Sequence, residues 1–186
     1  MNDYSIALFL HVVGALGLFV ALGLEWTSLW RMRGALTVEQ VREWMRISNS
    51  TRRLGIASML LILISGFYMM ATVWGSVAWI IVALGALVLL IVLSAALTGP
   101  RMAAIGRALT AEKGPVSPTL RHLANQPLLW ISIQTRVGIA LGIVFLMTVK
   151  PDLGGSLLTI GVAIALGLAS ALPMPHRERV QEGPAD

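Results

Sequence analysis

The chain has 186 residues, of which 56% are hydrophobic and only 12% charged, with mean hydropathy +0.80 and formal net charge +5. A soluble domain is about 45–50% apolar and about 25% charged, so this chain has too little polar surface to cover a water-soluble globule. Its hydrophobicity excludes disorder and its lack of cysteine excludes a disulfide scaffold. The remaining class is an all-α, polytopic transmembrane helical bundle.

Apolar runs of about 18 or more residues read as membrane spans. The first extends over 4–30 and is interrupted only by His11 and Glu25. From Leu54 to Leu97 there are 44 residues without a charge, about 66 Å of helix and roughly twice the hydrocarbon thickness. That stretch must be two helices, 54–73 and 77–97, with Trp74-Gly75-Ser76 as the turn. A fourth span, 128–149, carries Arg136, and Lys150-Pro151-Asp152 ends it. A fifth, 153–172, precedes Pro173 and Pro175. Residues 1–175 thus make a single bundle of five spans, and 176–186 are expected to form a mobile cytoplasmic tail.

The loops orient the spans. Arg31, Arg33, Arg42, Arg46, Arg52 and Arg53 lie between spans one and two, Arg101, Arg107, Lys113 and Arg121 between spans three and four, and Arg177 and Arg179 in the tail. Twelve of the fourteen basic residues therefore fall on one side, Lys150 alone on the other, and Arg136 within a span. The positive-inside rule places the twelve in the cytoplasm, the N-terminus outside and the C-terminus cytoplasmic. Basic residues distributed beside membrane helices suit topology and anionic lipid, not a nucleic-acid groove. The expected surroundings are the lipid bilayer of a bacterial inner membrane, with no nucleic acid. The first run is too long for a secretory signal and lacks its basic start, so the first span is expected to be retained.

In the first cytoplasmic loop, Thr37 and Gln40 form a capping box for a short helix whose face is Val38, Val41, Trp44 and Met45. That face either docks a partner or lies in the headgroup region. In the second loop the third helix is expected to extend through Met102, Ile105 and Leu109 and stop near Gly114. Ser117-Pro118 then reads as an N-cap followed by proline at the first helical position. Small residues at regular spacing, Gly161, Ala165 and Ala169 in the last span and Gly14, Ala21 and Ser28 in the first, allow close helix approach. The approach is within the bundle or between chains, as in a homo-oligomer or with a membrane partner.

Ionisable residues inside spans are costly and mark functional sites by default. There are three: His11, Glu25 and Arg136. His11 and Glu25 project from nearly the same face but are about 21 Å apart along the helix. Glu25 and Arg136 lie at comparable depth on antiparallel helices. They either form an internal ion pair, aided by Gln134, or line a polar cavity for an anionic ligand with Arg52 and Arg53 at its mouth. His11 can serve as a haem or copper ligand, or as a proton relay. It is the sole histidine within a span, so a partner ligand would be a methionine, with Met69, Met70 and Met147 at suitable depth. No carboxylate cluster, phosphate loop or Ser/His/Asp set supports a hydrolase or a nucleotide-driven pump.

The segment LFLHVVGALGLFVALGLEW, followed by LLILISGFYMM, resembles the bacterial copper-resistance-D-like membrane superfamily of small bundles. It is similar in layout to membrane-bound protoporphyrinogen oxidases. The resemblance covers the first four spans at most and implies a helical bundle that holds haem or copper, with His11 as the cofactor or metal position. The oxidase pattern has a lysine in the second span. Leu54 to Val73 contains none, which argues against oxidase activity.

The sequence thus leads to a transport or accessory membrane component with a polar site of His11, Glu25, Arg136 and Gln134. The alternatives are a haem- or copper-binding redox protein using His11, and a structural subunit of a larger membrane complex.

Overall fold

In the computed structural model, which describes residues 2–172, five helices are long and apolar enough to cross a membrane. The expected tail 176–186, with Arg177 and Arg179, lies outside the described residues, as do Pro173 and Pro175. The elements are α1 (Asp3–Arg33), α2 (Val38–Met69), α3 (Ala78–Leu93), α4 (Gly99–Ala111), α5 (Pro118–Ala124), α6 (Pro127–Val149) and α7 (Leu153–Ser170). A π-helical turn, Met70–Trp74, closes α2, and a second, Ser94–Thr98, joins α3 to α4 without a break. The described residues contain no strand, only an isolated bridge between Thr37 and Pro115.

Local chemistry sets the boundaries. Thr37 Oγ1 accepts from the Gln40 amide at 3.3 Å while Gln40 Oε1 accepts from the amides of Leu36 and Thr37, at 2.8 and 3.3 Å, so both ends of the capping box are made. Ser117 Oγ accepts from the Leu120 amide at 3.1 Å to start α5. Asp152 Oδ1 accepts from the Gly155 amide at 2.8 Å to start α7. Gly75 turns the chain at φ 64°, and Lys150 ends α6 in the left-handed region at φ 54°, the one non-glycine residue with positive φ among those described.

One expected boundary changes. The segment after Thr37 is not a separate loop helix but the opening turns of α2, which runs unbroken through Arg52 and Arg53. Those arginines change the hydropathy, and nothing near them breaks a helix. Most of its apolar face is turned into the chain's own core, with Trp44 half-buried beside it. Val38 and Val41 are fully buried and Met45 nearly so, in a core shared with Leu29, Ile105, Leu109 and Leu120. Arg42 fixes this packing by donating to the Leu109 carbonyl at 3.0 Å. The third span continues into α4 as expected, through Met102, Ile105 and Leu109 to Ala111, with a wide π turn ending two residues before Pro100, where a proline would otherwise break the helix.

The bundle is built from two groups. One is the antiparallel pair α1 and α2; the other is α3, α6 and α7, and the groups meet chiefly where α1 touches α6. At one end, called here the basic end, α4 and α5 pack under α2 and α1. The other, the hairpin end, holds the start of α1 and the turns at Gly75 and Lys150. Gly14, Ala21 and Ser28 are buried as a packing face. A Cβ on Gly14 would stand 3.0 Å from the Ser58 carbonyl oxygen, so only glycine allows α2 this close. In α7 the expected stripe is wrong. Gly161, Ala165 and Ala169 face outward, and α7 packs through Ser156, Ile160, Ala163 and Gly167. The contact chosen is the one that matches Gly138 and Gly142 on α6, where Cβ atoms would meet Ala163. Large apolar side chains such as Phe9, Leu16, Ile64, Leu158 and Leu166 stand more than 60% exposed around the bundle.

Candidate functional site

The structure brings Glu25 and Arg136 together. Arg136 Nη1 donates to Glu25 Oε2 at 2.9 Å and Nη2 to Oε1 at 2.5 Å, a bidentate pair. The Arg136 side chain is 3% exposed and that of Glu25 17%. The remaining donors of the guanidinium are engaged as well. Nη2 reaches Thr98 Oγ1 at 3.2 Å, Nη1 reaches Ser94 Oγ at 3.5 Å, and Nε reaches the Ser132 carbonyl at 3.4 Å. Thr98 and Ser132 hydroxyls bond each other at 3.0 Å. The π turn Ser94–Thr98 supplies two of these groups, so the wide turn stands where the arginine needs oxygens. A buried arginine is tolerated only when its charge and its N–H groups are all answered, and here α1, the π turn and α6 answer them together. This is a closed polar knot rather than an open anion site.

The other expected members stand elsewhere. Gln134 is half-buried and its side chain makes no hydrogen bond to the pair; its backbone carbonyl lies against Gly167 of α7. Two residues from Arg136 on the helix, it points to another face. Arg52 and Arg53 are exposed on α2 at the level of Glu25, as the facing of Gly55 and Ala21 shows, and neither bonds to the pair. Trp26 and Trp130 pack at 5.6 Å beside the knot, with the Arg33 guanidinium 5.1 Å from the Trp130 ring, which covers it toward the basic end.

His11 belongs to a separate place in the hairpin half. Its Nδ1 lies 3.2 Å from the Ile62 carbonyl and 3.1 Å from Ser65 Oγ. Ser65 gives its own proton to the Leu61 carbonyl at 2.5 Å. Both neighbours of Nδ1 therefore accept, and the neutral ring carries its proton on Nδ1 and a lone pair on Nε2. Gly66 makes room for the ring, since a Cβ there would stand 3.2 Å from His11 Cε1. The imidazole is thus fixed on its α2 side and presents its edge to a cavity.

That cavity, about 690 Å³, separates the α1/α2 pair from α3 and α6 in the hairpin half. Its walls are mostly aliphatic and aromatic, and Met69, Met70 and Met147 contribute to them alongside His11. At its rim the Lys150 ammonium lies 4.1 Å from the Trp74 ring and 5.9 Å from that of Trp79. Among the described residues no group of three or more histidine, cysteine, aspartate or glutamate side chains could hold a metal ion. One imidazole and three thioethers, from different helices, line this cavity; these donor types are ones that Cu(I) and haem take. An apolar pocket with a few convergent polar groups is also the common form of a small-molecule site.

Sequence reasoning missed Ser94, Thr98 and Ser132. Their signal was present, because Ser94 and Thr98, and likewise Ser132 and Arg136, are four residues apart and share a helix face. The cavity had no comparable signal, since it arises from how α3 and α6 diverge from α1 and α2. Compared with known proteins, the chain matches no family model, no curated protein and no solved structure.

Proposed function

We propose that the protein is a multi-pass component of a bacterial inner membrane, with its N-terminus outside and its basic end in the cytoplasm. In this reading it serves a transport or accessory role by binding a lipophilic molecule in the cavity beside His11. The observation that carries this reading is the cavity itself, which opens between the helix groups in the hairpin half, away from the Glu25–Arg136 knot. Binding there requires no covalent chemistry, in keeping with the short inventory of ionisable groups. Protein purified in mild detergent is expected to retain a lipophilic molecule detectable by mass spectrometry. Ala15, half-buried on the cavity wall, offers the control: Ala15→Phe fills the space and the retained molecule is lost with the fold intact. Equal retention by wild type and Ala15→Phe, or none by either, would overturn the reading. Because the chain has no cysteine, single cysteines at Ser76 and Leu36 test the orientation by labelling in intact cells without background. Ser76 is expected to react and Leu36 to be protected.

A second reading has its own support. His11 Nε2 is free to ligate and Met69, Met70 and Met147 share its cavity, so the wall fits a bound copper ion or haem, which would supply one-electron chemistry. The visible spectrum and copper content of wild type and His11→Ala decide it. A colourless, copper-free wild type after loading rules the redox reading out.

A further inference from the structure

The hairpin end carries one basic residue among those described, Lys150, and it stands at the rim of the apolar cavity. Its position is built, not incidental. The backbone ends α6 in the left-handed region at φ 54°, which turns the residue out of the helix axis. The ammonium then rests over the Trp74 ring at 4.1 Å and near Trp79 at 5.9 Å, while the two indoles meet edge to face at 5.7 Å. Trp74 is held in turn by its Nε1, which donates to the Tyr4 hydroxyl at 3.3 Å. A cation on an aromatic face is held in place but keeps its three N–H donors. Among the described residues Lys150 makes no ion pair, and its side chain donates no hydrogen bond to protein. The carboxylate nearest in sequence, Asp152, is spent on capping α7.

Behind this rim the walls are long and apolar. On α1 they run from Tyr4 to Phe19, about 22 Å of helix, and on α3 and α6 from Trp79 to Leu87 and from Ala140 to Thr148, about 12 Å each. One leaflet of hydrocarbon is about 15 Å, so an extended alkyl chain fits the depth.

We infer that the cavity takes an anionic amphiphile, a carboxylate or phosphate head at Lys150 with its alkyl chain along the wall past His11. The inference rests on the reading of this cavity as a binding site and names the class of its ligand. Lys150 is exposed, so its ammonium stays hydrated beside a neutral ligand, which gains nothing from it; an anionic head gains a charge-assisted contact there and a cationic one is repelled. The basic residues of the opposite end stand beyond the Glu25–Arg136 knot and do not reach this rim.

Native mass spectrometry of delipidated protein with matched ligand pairs tests this. The pairs are dioleoyl phosphatidylglycerol against dioleoylglycerol, and oleate against oleyl alcohol. Wild type is expected to bind one copy of the anionic member of at least one pair about tenfold more tightly than the neutral member, as expected of a charge-assisted contact. The pair that shows the preference identifies the head as phosphodiester or carboxylate. Lys150→Asn suits the left-handed backbone, which asparagine adopts readily, so it keeps the fold and is expected to erase the preference while neutral binding persists. Lys150→Arg is expected to keep it. A preference that survives in Lys150→Asn, or a wild type that binds both members of each pair equally, overturns the anionic ligand and leaves the cavity as a binding site. No binding of any of the four to wild type, or binding unaffected by Ala15→Phe, overturns the cavity reading itself.

Discussion

The two halves of the bundle solve opposite problems. In the basic half, α4 and α5 fold under α1 and α2, and fully buried side chains such as Ile105, Leu120, Leu129 and Ile133 fill the space between them. The Arg136 guanidinium is buried there, and five hydrogen bonds answer it, because every oxygen around it is placed by a helix. In the hairpin half no additional helices are available, α2 and α3 diverge from their short turn, and a cavity of about 690 Å³ remains. The Arg136 guanidinium in the first half is answered on every N–H, although the buried Ser28 and Thr135 hydroxyls beside it make no hydrogen bond, whereas His11 in the second half is fixed on one edge only. Well-answered polar groups stabilise, and incompletely answered ones beside an apolar space are available to bind.

The contrast can be broken most easily at Glu25. Glu25→Gln leaves a buried guanidinium without its counter-charge, and the expected loss is about 3 kcal/mol, read as thermal unfolding in detergent. Combining it with Arg136→Gln is expected to cost less than the sum of the two single changes. Strict additivity would show that the pair is not an energetic unit. Thr98→Ala removes one neutral partner of Arg136 and is expected to cost about 1 kcal/mol in the same measurement. In the hairpin half the same assay should report little. Ala15→Phe adds a ring to a space already present, so a change within about 0.5 kcal/mol is expected, and a loss as large as that of Thr98→Ala would mean that the cavity is collapsed in solution. Smallest of all should be Gly161→Leu. Gly161 has no neighbour within 4 Å, so monomer stability is expected to hold, and a change in oligomeric state by light scattering would reveal that the outward stripe with Ala165 and Ala169 joins copies of the chain.

Much of the architecture was legible because hydropathy and turn chemistry are local. The spans, the turn at Gly75, the break at Lys150-Pro151-Asp152, the capping box at Thr37 and the cap at Ser117 all follow from residues within a few positions of one another. The depth match of Glu25 and Arg136 was also legible, since 1.5 Å per residue converts position into depth. Rotation was not. Gln134 was grouped with the pair on depth alone and points to α7, and the four-residue stripe of α7 was assigned to packing although the glycines of α6 select the face of Ala163 and Gly167. The continuity of α2 through Arg52 and Arg53 was hidden for a different reason, because hydropathy marks where a membrane would end and says nothing of where a helix does.

The sequence by itself determined the class of this protein, its five long apolar helices and the short supply of ionisable groups, because each depends on composition and local spacing. Tertiary structure alone decided that Glu25 and Arg136 close into a knot with Ser94, Thr98 and Ser132, that His11 stands apart from them, and that Lys150 crowns an apolar cavity. Those outcomes depend on how each helix is rotated and where two helix groups part, which is set by the sum of contacts around every helix and by no single stretch of the chain.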